Sequence, residues 1–405
     1  MCQGNDVVAA RAHINGELLR WAREKAGLSP EDAATRAHVS DLRDIPAAAR
    51  VIDWEEGRDL PTPSQLKALA HVYHRPVLTF YLRKPPAESQ NVADFRTLGD
   101  VPLRGLSAEM DALVRRLQAR QEQVREILVE DEAEPLPFVG SFSLDANVPA
   151  LVQDMRRLMK LTVADQMRLT DGDALFRMLR MRLEDLGVFV QVLGDLGSHH
   201  TQIPAEQFRG LALVDNLAPF IVVNSNDARA AFPFTLLHEA AHIWIGVGGI
   251  SNASPFDKRI AESLAEQLCN SVATEFLLPR DEFILSWEKK NTNGSIGGIV
   301  SALSREWKVS RAAVAHRLWK LRRISEDVWW ALYHRYQEEW RRQRDKQREQ
   351  KGGPDYYVTT KSRLGRSLIR TVLNAVDAGT VTYTQAARIL NVNVKSFDGL
   401  REGGV

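Results

Sequence analysis

Apolar positions recur every three or four residues along most of the chain, and near-alternation is confined to its middle. From Ile14 to Ala26 the apolar positions Leu18, Leu19, Ala22 and Ala26 share a helical face, and Gly27 ends the run. Ser29-Pro30-Glu31-Asp32 starts a second helix, with Ser as cap and Pro in the first turn. Thr62-Pro63-Ser64-Gln65 repeats that device before Leu66, Leu69 and Ala70, and Pro85-Pro86 closes the unit. A long helix is predicted from Ala108 to Glu130, with Met110, Leu113, Leu117 and Val124 on a charged background and Pro135 and Pro137 beyond it. Val148 to Leu186 reads as helix. Gly187 to Leu193, Arg209 to Val214 and Pro219 to Asn224 read as strands, the last two joined through Asp215-Asn216. A helix follows from about Pro233, and the chain beyond Ser301 is again helical, with a polar, basic run from Arg341 to Lys351.

This order predicts an α+β fold: a helical N-terminal unit, a mixed core with a small β-sheet and a helical, basic C-terminal region. The expected divisions are 1–88, a helical linker 89–147, the mixed core 148–325 and the tail 326–405. A length of 405 residues suits two or three domains at roughly 150 residues each. Only Cys2 and Cys269 are present, which excludes a disulfide scaffold and fits a reducing, cytoplasmic setting. The longest charge-free stretch, Ala240 to Phe256, carries three Gly, a Pro, an Asn and a His, so no membrane partner is expected. The N-terminus shows no basic-then-apolar signal pattern, since Asp6 and Arg11 bracket a short Val-Val-Ala-Ala. The net charge of +1 hides a segregation: residues 301–405 hold 21 Lys/Arg against 11 Asp/Glu. Such a balance suits an acidic partner or nucleic acid, and equally a solvated helical surface.

The chemistry concentrates in Phe234-Thr-Leu-Leu-His238-Glu239-Ala-Ala-His242-Ile-Trp-Ile-Gly246. Four residues apart on a helix, His238 and His242 can aim both imidazoles at one metal, and neutral imidazole suits zinc. Glu239 projects about 100° away, where a carboxylate can take a proton from water at the metal's open position. The plainer reading is a buried helix that happens to hold two histidines. A catalytic zinc needs a third protein ligand. A second helix, about Lys258 to Leu278, offers Glu262 and Glu266 one turn apart, and periodicity does not choose between them.

Four blocks in order, Phe208-Arg-Gly-Leu-Ala-Leu-Val-Asp215, Pro219-Phe-Ile-Val-Val-Asn224, the His238 to His242 block and Glu266-Gln-Leu-Cys-Asn270-Ser-Val-Ala-Thr-Glu-Phe-Leu-Leu-Pro279, resemble the ImmA/IrrE-type zinc metallopeptidases from about Val148 to Arg323. The resemblance implies a zincin-like core with Zn2+ held by His238, His242 and Glu266, Glu239 as catalytic base and Glu262 as runner-up ligand. It implies an endopeptidase that cleaves a specific regulatory protein such as a transcriptional repressor, gated by nucleic acid or by a stress or phage signal. The competing function is a DNA-binding regulator or antitoxin-like protein with a non-catalytic metal site, which would not require Glu239. Arg317 is the candidate oxyanion donor. Cys269 is read as a buried thiol on another helical face, and His199-His200 as solvated. Pro219 to Val223 is the candidate strand for pairing with an extended substrate.

The segment Leu19 to Glu31, with Trp54-Glu-Glu-Gly57, Pro61-Thr62 and Leu66 to Pro76, resembles an XRE-type helix-turn-helix. It departs between Ser40 and Trp54, where extra residues include Pro46; a helix interrupted there could not lie straight in a major groove. Residues 1–88 carry 12 Lys/Arg against 12 Asp/Glu, so a docking or dimerisation module is the rival reading. Gly352-Gly353, Tyr356-Tyr357, Arg363-Leu-Gly365 and Tyr383 to Leu390 resemble relatives with a long C-terminal extension. Trp307 to Leu318 reads as helix, turn, helix, and so does Thr384 to Leu400 with Asn391-Val-Asn393 as the turn. Trp329, Trp330, Tyr333, Tyr336 and Trp340 fall beside Arg341, Arg342, Arg344, Lys346 and Arg348, the candidate nucleic-acid contacts. Aromatic platforms there favour single-stranded over duplex DNA, and core packing is the plain alternative. Asp94-Phe95-Arg96 matches a short piece common in these fusions and has no mechanism attached.

Overall fold

The computed structural model describes residues 11–86, 107–197, 201–251, 264–291, 294–348 and 355–401, which fall into two compact units. Among the described residues, the first unit comprises 11–86, 107–116, 195–197 and 201. It holds α1 (Gly16–Lys25), α2 (Pro30–Arg36), α3 (Ala47–Glu55) and α4 (Pro63–Val72). Each start follows from a local signal: Asn15 caps α1, Ser29 caps α2, and Thr62 with Gln65 forms a capping box on α4. Leu18, Leu19, Ala22, Val51, Trp54, Leu66, Leu69 and Phe80 form the core. The Arg23 guanidinium grips the buried Glu55 carboxylate at 2.7 and 2.9 Å, tying α1 to α3.

Pro46 does not interrupt a helix, as the sequence reading feared. It sits at the N-cap of α3, outside the hydrogen-bonded turns, where its missing N–H costs nothing. The extra residues lie in the connection 37–46, where Leu42 and Ile45 form a small bridge.

The second unit begins within α5 (Ala108–Glu130), whose span matches the sequence expectation, and runs through α6 (Val148–Leu158), α7 (Val163–Arg168) and α8 (Gly172–Asp185). Its sheet has the order β1 (Phe189–Val192), β3 (Phe220–Val223), β2 (Gly210–Leu213), β4 (Gly249–Ser251). β1 and β3 are parallel, with Phe189 opposite Phe220. β2 is antiparallel to both β3 and β4. β1, β2 and β3 are buried throughout, as the apolar runs of β2 and β3 require, and the one polar residue of β1, Gln191, accepts from Arg120. β4 carries no apolar alternation and escapes the sequence reading. Against the sheet lies α9 (Phe232–Ile245), flanked by α8 and by α10 (Leu264–Leu277). α11 (Arg280–Lys290), α12 (Ile296–Trp307), α13 (Arg311–Lys320) and α14 (Glu326–Arg348) follow; Trp307, Val314 and Leu318 of the α12–α13 pair are core residues.

The tail forms α15 (Tyr356–Leu364), α16 (Arg366–Asp377), α17 (Tyr383–Leu390) and α18 (Phe397–Arg401). α15 and α16 pack on β1. Arg180 of α8 donates to Val190 O at 2.7 Å and Ser362 O at 2.6 Å, and Arg366 pairs with Glu184 and Asp185. The buried Arg120 guanidinium donates to Ile389 O at 2.7 Å and to Gln191 Oε1 at 2.9 Å, joining α5, β1 and α17. No helix among the described residues is long and apolar enough to cross a membrane.

Removing a buried charged donor leaves its acceptors without a partner. Arg120→Ala should therefore lower unfolding stability by about 2–4 kcal/mol. Chemical denaturation monitored by tryptophan fluorescence checks this; an unchanged midpoint would show that Arg120 is not a structural tie.

Candidate metal centre

α9 is buried on every side from Thr235 to Ile245, the pattern of a helix with no solvent face. Leu236, Leu237, Ala240, Ala241, Ile243 and Trp244 supply the apolar packing. Polar groups in such surroundings are costly unless they are satisfied. The titratable groups that interrupt this run are His238, Glu239 and His242, respectively 4%, 0% and 2% exposed.

The two imidazoles converge, with ring centroids 4.9 Å apart and Nε2 atoms 3.2 Å apart. Glu266, on the first turn of α10, lays its carboxylate across both: Oε2 is 3.2 Å from His238 Nε2 and Oε1 is 3.2 Å from His242 Nε2. These three side chains could hold a metal ion. The Glu266 side chain is 24% exposed against 5% for His238 and 2% for His242, so the cluster opens to solvent on the α10 side.

A backbone feature fixes one ring. His242 Nδ1 lies 2.8 Å from Val247 O, which places a proton on Nδ1 and turns Nε2 toward the cluster. Val247 reaches that position because Gly246 ends α9 with φ +70°. A Cβ on Gly246 would also come within 3.0 Å of the Gly140 Cα.

Burial pushes the Glu266 carboxyl up, but hydrogen bonds from the two imidazoles outweigh it and hold the group well below the usual carboxylate range. Cys269 is buried, and burial raises its thiol against the pull of His242. Cys269 is the buried thiol the sequence implies, and three residues after Glu266 the helix has come back to within about 60° of that residue's direction, which brings the thiol within electrostatic reach of His242.

Glu239 faces the sheet. A Cβ built on Gly210 of β2 would fall 2.2 Å from Glu239 Oε1 and 2.7 Å from its Cγ. The carboxylate therefore rests on bare backbone, and Gly210 is a site residue that the sequence reading quoted but gave no role.

Other candidates fall elsewhere. β3, the proposed substrate-pairing strand, is central, with both edges taken by β1 and β2. The β2 edge is occupied by β4, where Gly210 pairs with Ser251. Arg317 is no oxyanion donor at this cluster. It pairs with Glu275, nine residues beyond Glu266 and so about 13 Å along α10. Trp329, Tyr333 and Tyr336 are buried, with Trp329 stacked on Trp319 at 4.6 Å; those rings belong to the core and offer no platform for bases. Arg341 and Arg342 are exposed on α14, and Arg342 lies 3.8 Å from Glu338. The side chains of Arg344, Lys346 and Arg348 lie outside the described residues, as do Glu262, His199-His200 and Asp94-Phe95-Arg96.

A histidine pair on a buried helix and a carboxylate from the next helix, beside a small sheet, form a candidate metal centre. Residues 193–319 match the family model described as the IrrE N-terminal-like domain, a peptidase family, and residues 16–78 match that of a helix-turn-helix domain. The chain thus carries an ImmA/IrrE-type domain together with an N-terminal helix-turn-helix domain. No curated protein matches the chain.

Proposed function

We propose that the chain is a zinc endopeptidase acting on a specific regulatory protein, such as a transcriptional repressor. The observation that carries this reading is the convergence of the donor groups: the two Nε2 atoms are 3.2 Å apart, and each lies 3.2 Å from one oxygen of the Glu266 carboxylate. Tetrahedral zinc with bonds of about 2.0–2.1 Å has ligand-to-ligand edges of about 3.3–3.4 Å, so the donors already stand nearly where such an ion requires them. Two imidazoles and a carboxylate are a donor set that zinc accepts while keeping a fourth position open. We assign His238, His242 and Glu266 as ligands. We take the peptidase domain as 148–325, wider than the matched 193–319, because Leu151 and Met155 of α6, Leu179 of α8 and Val190 of β1 share one core with α9.

When bound, zinc supplies Lewis acidity, lowering the pKa of water and polarising the scissile carbonyl. The protein's own work falls to Glu239, which accepts the proton of the attacking water and returns it to the leaving amine. Gly210 gives that carboxylate its place, and the Val247 carbonyl holds the His242 tautomer. Recognition of the target away from the scissile bond falls to the helical units, since β3 has no free edge.

Elemental analysis of purified protein should find one zinc per chain, lost in His242→Ala and in Glu266→Gln and kept in Glu262→Gln. Zinc retained by both His242→Ala and Glu266→Gln would overturn the ligand assignment.

Glu239→Gln should keep its zinc and its fold and lose proteolysis by about 10²–10⁴-fold. Gly210→Ala should behave alike, because its methyl takes the space of the Glu239 carboxylate. Cleavage of a neighbouring regulator is the readout. Wild-type rates in Glu239→Gln would remove the role assigned to that residue, and wild-type rates in Gly210→Ala alone would show that β2 does not position it.

A further inference from the structure

We infer that α16–α18 form a second helix-turn-helix and that it binds duplex DNA through Thr384, Arg388 and Lys395. The inference goes beyond the peptidase reading and does not depend on it.

α17 ends at Leu390 and helical backbone resumes at Val394, so the connection is the three residues Asn391-Val392-Asn393. That length is typical of helix-turn-helix motifs. Asn391 takes φ +55° to reverse the chain, and the Asn393 side chain accepts from Lys395 N. Ala386, Ile389, Leu390, Phe397 and Leu400 are buried, as are Leu368, Ile369 and Val372 of α16. The Tyr383 ring meets Phe397 edge-on at 5.6 Å, which sets the first turn of α17 beside the start of α18.

The outward face of this corner is cationic and polar. Thr384 and Arg388 stand one turn apart on α17, and Lys395 opens the next helical segment; all three are exposed. Neither cation is engaged in an ion pair among the described residues, whereas Arg401 is held by Asp377 and Arg366 by Glu184 and Asp185. Residues 355–401 carry seven Lys/Arg against three Asp/Glu. The matched N-terminal domain, 16–78, carries nine against ten.

The contrast extends to the reading helices. In the N-terminal domain the connection before α3 spans 37–46, and the outer positions of α3 are Ala48, Ala49, Ile52 and Asp53. Its one cation, Arg50, is buried, donates to Ser40 O at 2.7 Å and lies over Trp54. That face offers no phosphate contact, while the C-terminal corner offers two long cations and a hydroxyl. Contacts of this kind neutralise phosphates and position the duplex without reading bases, so binding should tolerate sequence and fall steeply with salt.

The experiment is a salt titration of duplex DNA binding by the full-length chain, as wild type and as four double variants. Arg388→Glu with Lys395→Glu should weaken binding at least about 10-fold and flatten the slope of log K against log salt by about 2, one unit per lost phosphate contact. Arg388→Gln with Lys395→Gln should show the same direction with smaller effect. Both pairs are exposed, and circular dichroism with zinc content confirms an intact fold. Arg36→Glu with Arg43→Glu on the N-terminal domain, and Arg341→Glu with Arg342→Glu on α14, should bind within about 2-fold of wild type. Undiminished binding by the Arg388/Lys395 variants would overturn the inference. So would loss confined to either control pair, or a wild-type chain that binds no duplex even at about 50 mM salt, where phosphate contacts are strongest.

Discussion

Two buried imidazoles and the Glu266 carboxylate are held with contacts of 3.2 Å, an arrangement that needs a proton or a cation among them. The surrounding structure is built to keep them there. α9 has no solvent face on which its histidines could relax, and α10 packs along it so that Glu266 meets both rings. The Val247 carbonyl fixes the tautomer of His242, and the close approach of Gly140 to Gly246 holds the turn that delivers that carbonyl. This is why the cluster reads as a binding centre and not as a chance pair of core histidines.

The same economy of space governs the sheet. β2 brings Gly210 against Glu239 on one side and pairs with β3 and β4 in its own plane. A side chain at that position would compete directly with the carboxylate. β3, fully enclosed, serves as scaffold, and Asn224 just beyond it ties down the β1–β2 connection by donating to Ile203 O and Phe208 O at 3.1 and 2.9 Å. The histidines that face Glu266 and the sheet-facing glutamate are therefore positioned by different neighbours, although they sit within five residues of one another.

Attachment of the tail rests on arginines. Arg120, Arg180 and Arg366 each satisfy carbonyl or carboxylate acceptors between the tail and the core, which suits a planar cation with several fixed donors. The remaining cations of α17 and its turn are left at the surface. A net positive balance read from sequence thus divides into structural arginines that hold the tail and exposed ones that can meet a partner.

Sequence alone determined the elements with strong local signals and the site residues that share one helix. Caps and turn residues at Ser29, Thr62 and Gly246 mark ends that the chain obeys, and α5 has the span its periodicity gives. His238, Glu239 and His242 were legible because a four-residue repeat puts two rings on one face by geometry that no packing can alter. What lay beyond local periodicity was settled only by tertiary structure. The meeting of Glu266 with both rings, the pairing of Arg317 with Glu275 and the place of Gly210 under Glu239 all depend on how separate elements pack. β4 and the central place of β3 depend on strand order, which alternation within a strand does not encode. Pro46 shows the boundary between the two: its effect on a backbone is local and known, but whether it breaks a helix or begins one turns on where the packed core lets α3 start.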